Sequence, residues 1–180
     1  MATEALTHGQ VIAYPTEAVW GLGCDPWDED AVQRLLALKT RHVKKGLILI
    51  SGDIAHFNDL LADLGDTYKQ KLSKSWPGAY TWLVPHHDRV PSWVSGQFDT
   101  VAIRVSPHPY VRALTHAFGG AIISTSANPQ GQSPARFSWQ VAKYFRRFDE
   151  PIITQGQVGK NRKPSEVRDL ITDQLIRAGG

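Results

Sequence analysis

Lys39-Thr-Arg41-His-Val-Lys44-Lys45 packs four permanent cations into seven residues and runs through Gly46 into the aliphatic stretch 47–50. Lysine and arginine together suit a polyphosphate, the arginine as a planar fork and the lysine as a point charge. The same composition describes a solvated helix end. Anchoring favours the ligand reading: the cations lead from a helix straight into an apolar strand, at a sheet edge. The chain has neither a GxxxxGK[ST] loop nor a GxGxxG turn, so a nucleotide bound here is held by side-chain cations.

Two more segments gather polar groups just beyond apolar strands. In Pro15-Thr16-Glu17-Ala-Val-Trp20-Gly21-Leu22-Gly23-Cys24-Asp25, Thr16 falls at a strand end and two glycines admit close approach of the backbone to a ligand. It reads equally as a strand-to-helix loop capped by Asp25 or Asp28. In Ile122-Ile123-Ser124-Thr125-Ser126-Ala127-Asn128-Pro129, a buried strand opens into three hydroxyls and an amide. Such residues either satisfy a turn through their own backbone or serve a ligand. His86-His87-Asp88 stands in a proline-bounded loop and reads as solvated. No HExxH motif or carboxylate cluster offers a protein-built metal site.

Positioning these groups takes alternating strands and helices, an α/β layer architecture. Strands are expected at 11–14, 47–50, 79–84, 101–105, 121–124, 152–153, 167–171 and 174–177. Helices are expected at 28–39, where acids crowd the first turn and Lys39 suits the carbonyl end, at 53–64 and at 66–76. Another begins at Pro109 and ends at Gly119-Gly120, and a last runs from a Ser138 cap to about 148. Residues 85–96 and 155–164 read as polar loops.

At 180 residues, 42% hydrophobic and 9% aromatic, the chain can fill one sizeable core and is not a disordered protein. With no repeat and no linker, it is expected to form a single domain over 1–180. The net charge of +3 is mild for a dedicated nucleic-acid binder. Its distribution says more: residues 1–38 hold six acids and one base, a balance of −5, which leaves +8 for the remainder. The one cysteine, Cys24, cannot form an intrachain disulfide or a cysteine-rich zinc site and reads as a small buried apolar residue. The first ten residues have no basic and apolar leader pattern, and no apolar run is long enough for a membrane span. A cytoplasmic location without membrane contact is expected.

Pro15-Thr16-Glu17 with Gly21-Leu22-Gly23, Lys39-x-Arg41, Trp76-Pro77-Gly78, Arg104 on strand 101–105, Ser126-Ala127-Asn128 and Pro164-Ser165 follow one another in the order and spacing of the YrdC/Sua5 family, which the chain resembles over residues 10–178. The resemblance implies an open twisted mixed sheet flanked by helices, with a basic concave face. It also implies a nucleotidyltransferase that joins L-threonine, bicarbonate and ATP into threonylcarbamoyl-adenylate and pyrophosphate. That product feeds the threonylcarbamoyladenosine modification of tRNA beside the anticodon, through a downstream transferase complex of TsaB, TsaD and TsaE-type proteins.

By the same resemblance, Lys39 and Arg41 hold the triphosphate and are the catalytic pair, and Lys45, Thr100, Ser126, Asn128 and Arg177 contact ATP. Thr16, Arg104, Ser124 and Ser165 serve threonine and bicarbonate, and magnesium arrives with ATP. The sequence departs from the family pattern at His42, Trp20, Gln130 and Glu166, of which Gln130 and Glu166 bear on the contacts of their loops.

Two alternatives remain in the sequence. One is a non-catalytic protein binding tRNA or double-stranded RNA through Trp82, Trp93 and Trp139 among scattered cations. The other is a paralogue that makes a different carbamoyl-adenylate, as a domain of this type does in carbamoyltransferases.

Overall fold

Successive side chains of a strand face opposite ways, and in the middle of this protein both faces are apolar. Ile12, Tyr14, Ile50 and Ile122 pack to one side, while Ala13, Leu49 and Ile123 pack to the other. A computed structural model describes residues 1–161 and 164–178. In chain order its elements are α1 (Ala2–Thr7), β1 (Ile12–Pro15), β2 (Trp20–Gly23), α2 (Glu29–Lys39), β3 (Ile48–Ser51), α3 (Asn58–Leu61), α4 (Asp66–Ser75), β4 (Tyr80–Pro85), α5 (Ser92–Ser95), β5 (Thr100–Val105), α6 (Pro109–Phe118), β6 (Ile122–Ser126), α7 (Ser138–Phe145), β7 (Ile152–Ile153), β8 (Glu166–Asp169) and β9 (Leu175–Arg177). The strands form one mixed sheet in the order β7-β1-β2-β6-β3-β5-β4-β8-β9. The β7–β1, β3–β5 and β4–β8 pairs are parallel and the rest antiparallel.

Helices flank both faces unequally. Leu35 and Leu36 of α2, Leu72 of α4, Val94 of α5, and Val141 and Phe145 of α7 join the larger core. On the opposite face, α1 and α6 roof only part of the sheet, through Ala5, Leu6, Val111 and Leu114. The rows they cover continue past the roof. Ile122 is followed on its own face by Ser124 and Ser126, and the β3–β5 register sets Arg104 beside Ile50. The polar residues singled out from the sequence therefore stand on the uncovered part of a buried sheet.

Several elements follow their sequence signals. Asp28 caps α2 by accepting from the Ala31 N–H, Pro109 opens α6, and Gly119 closes it at φ 83° in the left-handed region. Others differ. Residues 20–23, with two glycines, form strand β2 rather than a loop, because Trp20 and Leu22 are buried and Ile12–Pro15 pairs with them. The expected helix at 53–64 is a 3-10 turn, Ile54–Phe57, and the single turn α3, and residues 85–96 contain α5. Ser138 is the first residue of α7 rather than its cap; Gln140 Oε1 accepts from the N–H groups of Arg136 and Phe137. Helix α1 carried no signal that separated it from an irregular leader. The cation run leads into β3, which lies inside the sheet between β6 and β5 as its fully apolar run predicts, so the cations stand at the strand's entry and not along an outer strand. Of the loop expected at 155–164, residues 162–163 lie outside the described residues.

β2 passes so close to its neighbours that Gly23 has no room for a side chain: an added Cβ would lie 2.6 Å from the Ile123 carbonyl oxygen and 2.8 Å from the Tyr14 ring. Gly23→Ala is expected to cost about 1–3 kcal/mol, as overpacking does, and Gly120→Ala, which meets nothing within 4 Å, is expected to change stability by less. Thermal denaturation of the two variants checks this; equal midpoints would contradict the packing assigned to β2.

Candidate functional site

The uncovered sheet face forms the floor of a cavity of about 430 Å³. The end of α2, the turn after it, the β1–β2 connection, the loop after β6, and the segment entering β8 surround it. Five cations line it, Lys39, Arg41, Lys45, Arg104 and Arg177, together with Thr16, Ser124, Ser126, Asn128 and Ser165. Residues separated by up to 161 positions thus meet at one place.

Lys39 ends α2, where the helix carbonyls favour a cation. Its ammonium is buried and donates to the backbone oxygens of Ser126 at 2.6 Å and Asn128 at 2.8 Å, with the Ser126 and Asn128 side-chain oxygens at 3.4 and 3.3 Å. Burial first, and the Arg41 charge second, lower its pKa to about 8. Thr40 then takes a left-handed conformation, φ 51°, which ends the helix and sends Arg41 to the other side of the turn. A β-branched residue rarely adopts that backbone. The Arg41 guanidinium donates to the Lys45 and Gly46 carbonyls, which fixes the 3-10 turn Val43–Lys45, while its buried Nε has no partner. Arg177 donates to the Ser165 carbonyl. Burial pushes both guanidiniums down, and the charges of Arg104 and Arg41 add to this at Arg177.

Every acceptor just named for Lys39, Arg41 and Arg177 is a neutral oxygen. Among the described residues, no carboxylate lies within ion-pair distance of these three or of Lys45. Arg104 alone has one, Glu17 Oε2 at 3.0 Å from its Nη2. The cavity therefore holds a large surplus of positive charge, the electrostatic condition for a polyanionic ligand.

The hydroxyl-bearing residues play two parts. Thr16 Oγ1 donates to the Val19 carbonyl at 2.7 Å and shapes the β1–β2 turn, and the residue is part of the cavity wall. Asn128 Nδ2 donates to the carbonyls of Pro129 and Gln132, so the loop after β6 is held by its own amide and also lines the cavity. The turn-satisfying reading of this segment is realised at Asn128, whose loop is also part of the cavity wall. Ser165 is buried, with its Oγ 2.8 Å from Thr81 Oγ1, so its side chain faces the sheet.

Thr100 does not join this group. It begins β5 opposite Pro85, four residues before Arg104, roughly 13 Å down the strand, and is not in the cavity wall. Pro134 and Gln130 do line it. Glu17, singled out only as part of its motif, is the neighbour the sequence could not assign to Arg104. Of the three tryptophans, Trp82 is buried and Trp93 is half-buried with its indole N–H on the Pro26 carbonyl, so only Trp139 is exposed. The rings of His86 are spent locally, Nε2 against the Phe98 carbonyl and Nδ1 accepting from the Asp88 N–H. Cys24 is buried, which pushes its thiol up. No helix among the described residues is long and apolar enough to cross a membrane.

Similar proteins share this architecture along the whole chain. A threonylcarbamoyl-AMP synthase of Pseudomonas aeruginosa strain UCBPP-PA14 is 54% identical over 176 residues, 98% of this chain and 94% of that protein. The structure of Pyrococcus abyssi Sua5 complexed with L-threonine superposes with a TM-score of 0.90 at 30% identity over 99% of this chain, which spans 53% of that protein's length. Escherichia coli YciO superposes at 0.85 with 25% identity, over 99% of this chain and 87% of that one. The Sua5/YciO/YrdC family model, described as telomere recombination, matches residues 4–179, and the chain belongs to that family.

Proposed function

We propose that this chain is a threonylcarbamoyl-AMP synthase, a nucleotidyltransferase that uses L-threonine, bicarbonate and ATP. The observation that carries the reading is the cationic surplus of a cavity of nucleotide size on the open sheet face. The 54% identity to a synthase over nearly the full chain supports the same reaction, as does the threonine complex of the Sua5 relative.

The amine of threonine attacks bicarbonate, losing water, to give a carbamate. A carbamate oxygen then attacks the α-phosphorus of ATP, and the bond to the leaving pyrophosphate breaks. No nucleophilic side chain is required, because such chemistry rests on placement and on neutralising phosphate charge. Lys39, Arg41, Lys45 and Arg177 take the triphosphate side, with Ser126 and Asn128 at the nucleotide. Arg104 faces the amino-acid carboxylate, beside Thr16 and Ser124.

The lining offers magnesium no carboxylate, and no group of three metal-binding side chains exists among the described residues. A magnesium ion therefore enters as MgATP, held by phosphates and water. Transfer of the product to tRNA falls to the TsaB, TsaD and TsaE-type complex.

A specific surface favours an added affinity for RNA. Phe137 and Trp139 are exposed and stack with ring centroids 6.2 Å apart and planes 10° from parallel. Arg136, Lys143, Arg146 and Arg147 stand close to them in the chain, on and beside α7. Exposed aromatic planes beside cations suit unstacked bases and phosphates. Trp139→Ala combined with Arg146→Ala and Arg147→Ala is expected to weaken tRNA binding and flatten its salt dependence, read by filter binding across a salt series, while pyrophosphate release stays near wild type.

Two tests address the main reading. Arg41→Ala is expected to lower threonine-dependent pyrophosphate release on the order of ten- to a thousand-fold with an unchanged circular dichroism spectrum; near-normal activity would sink the phosphate assignment. Because free Lys39 titrates at about 8 and a bound polyanion raises that value, ATP binding at about pH 8.5 must take up protons. Calorimetry in buffers of different ionisation enthalpy checks the sign: uptake is expected in the wild type, lost in Lys39→Met, and ATP affinity falls as pH rises through 8.

A further inference from the structure

Glu17 is buried, 7% exposed, between two residues that line the cavity, Thr16 and Ala18, yet does not line it itself. One carboxylate oxygen, Oε1, accepts from Ser106 Oγ at 2.7 Å, and that hydroxyl in turn accepts from the His108 N–H. The other, Oε2, lies 3.0 Å from Arg104 Nη2, an ion pair in which the N–H is not aimed at the oxygen, and has no hydrogen bond of its own. Arg104 Nε meets the Gly78 carbonyl at 3.3 Å. The guanidinium is thus held from two sides, at Nε and at one Nη, and is still part of the cavity wall.

The backbone around Glu17 is fixed as firmly. The Gly159 N–H donates to the Thr16 carbonyl and the Asn161 N–H to the Glu17 carbonyl, at 2.9 and 3.1 Å. A carboxylate anchored at both its backbone and one oxygen, with the second oxygen directed at a cavity arginine, has the geometry of an orienting group. Its charge also tells. Among the described residues, Arg104 is the one cavity cation with a carboxylate partner, so Glu17 reduces the attraction of Arg104 for a phosphate while holding its fork in place for a weaker anion.

We propose that Glu17 is the positioning residue that aims Arg104 at the carboxylate of the amino-acid substrate and keeps it from the triphosphate. The inference rests on the synthase reading and adds a residue that acts through Arg104 rather than on substrate. Glu17→Gln keeps the size and an acceptor for Ser106 while removing the charge. It is expected to raise the KM for threonine on the order of ten-fold, as loss of one charge-assisted contact does, with the KM for ATP within about two-fold and kcat little changed. Glu17→Asp is expected to recover part of the loss.

The decisive measurement is the pair with Arg104→Gln. If Glu17 acts through Arg104, adding Glu17→Gln to Arg104→Gln raises the threonine KM no further. Independent, multiplying effects would overturn the proposal, as would an equal rise in the ATP KM or no change in either. Should Glu17→Gln not fold, Ser106→Ala, which frees the anchored oxygen, is expected to raise the threonine KM in the same direction by a smaller factor, and an unchanged value would overturn the proposal. A wild-type protein without threonine-dependent pyrophosphate release defeats the synthase reading itself. A wild-type protein that is active while Arg104→Gln keeps the normal threonine KM defeats only the assignment of Arg104 and Glu17.

Discussion

The buried ammonium of Lys39 braces the site. It joins the end of α2 to the mouth of β6, two elements that share no register, through the carbonyl oxygens of Ser126 and Asn128. The Gln130 N–H returns the link by donating to the Lys39 carbonyl. A buried cation is costly unless it is well solvated by the protein, and four oxygens do that here without cancelling its charge. A carboxylate in their place would have left the cavity neutral on that side.

The sheet supplies the floor by a similar economy. α1 and α6 cover only the rows of Ile12, Tyr14, Ile50 and Ile122, and the same rows turn polar one or two residues beyond the cover. Strand alternation then does the placing. Once Ile122 is pinned under α6, Ser124 and Ser126 must share its face, and once Ile50 is pinned, the β3–β5 register puts Arg104 beside it. A slip of one residue in either strand would turn these groups into the larger core, so the hydrophobic packing enforces the geometry of the polar site.

This explains which parts could be read in the sequence. Helix α2, strand β3 and the start of α6 announce themselves locally, through Asp28, an aliphatic run and Pro109, and the structure follows them. The cation run, the Thr16 segment and the hydroxyl-rich segment were visible as clusters, and ten of the eleven residues assigned to the site line the cavity. Thr100 stands apart from the cavity wall, at the far end of β5 from Arg104, since distance along a strand is invisible until register is known. β2 was hidden since Gly21 and Gly23 signal a loop by composition, and only the close passage against Tyr14 and Ile123 explains them in a strand. The Glu17–Arg104 pair joins residues far apart in the chain and leaves no trace in local pattern, and neither does the capture of Lys39 by carbonyl oxygens.

How each cation is held follows the anion it must meet. Lys39, Arg41 and Arg177 are oriented by backbone oxygens, which fix direction without pairing the charge with a carboxylate. Burial, and after it the charges of Arg104 and Arg41, lower the Arg177 pKa, and a highly charged phosphate chain offsets that repulsion. A singly charged carboxylate cannot compete for such a field and needs a cation that is aimed rather than merely strong. Arg104, restrained by a carboxylate as well as a carbonyl, meets that need. One cavity can therefore sort a polyanion from a monoanion by the kind of oxygen behind each cation.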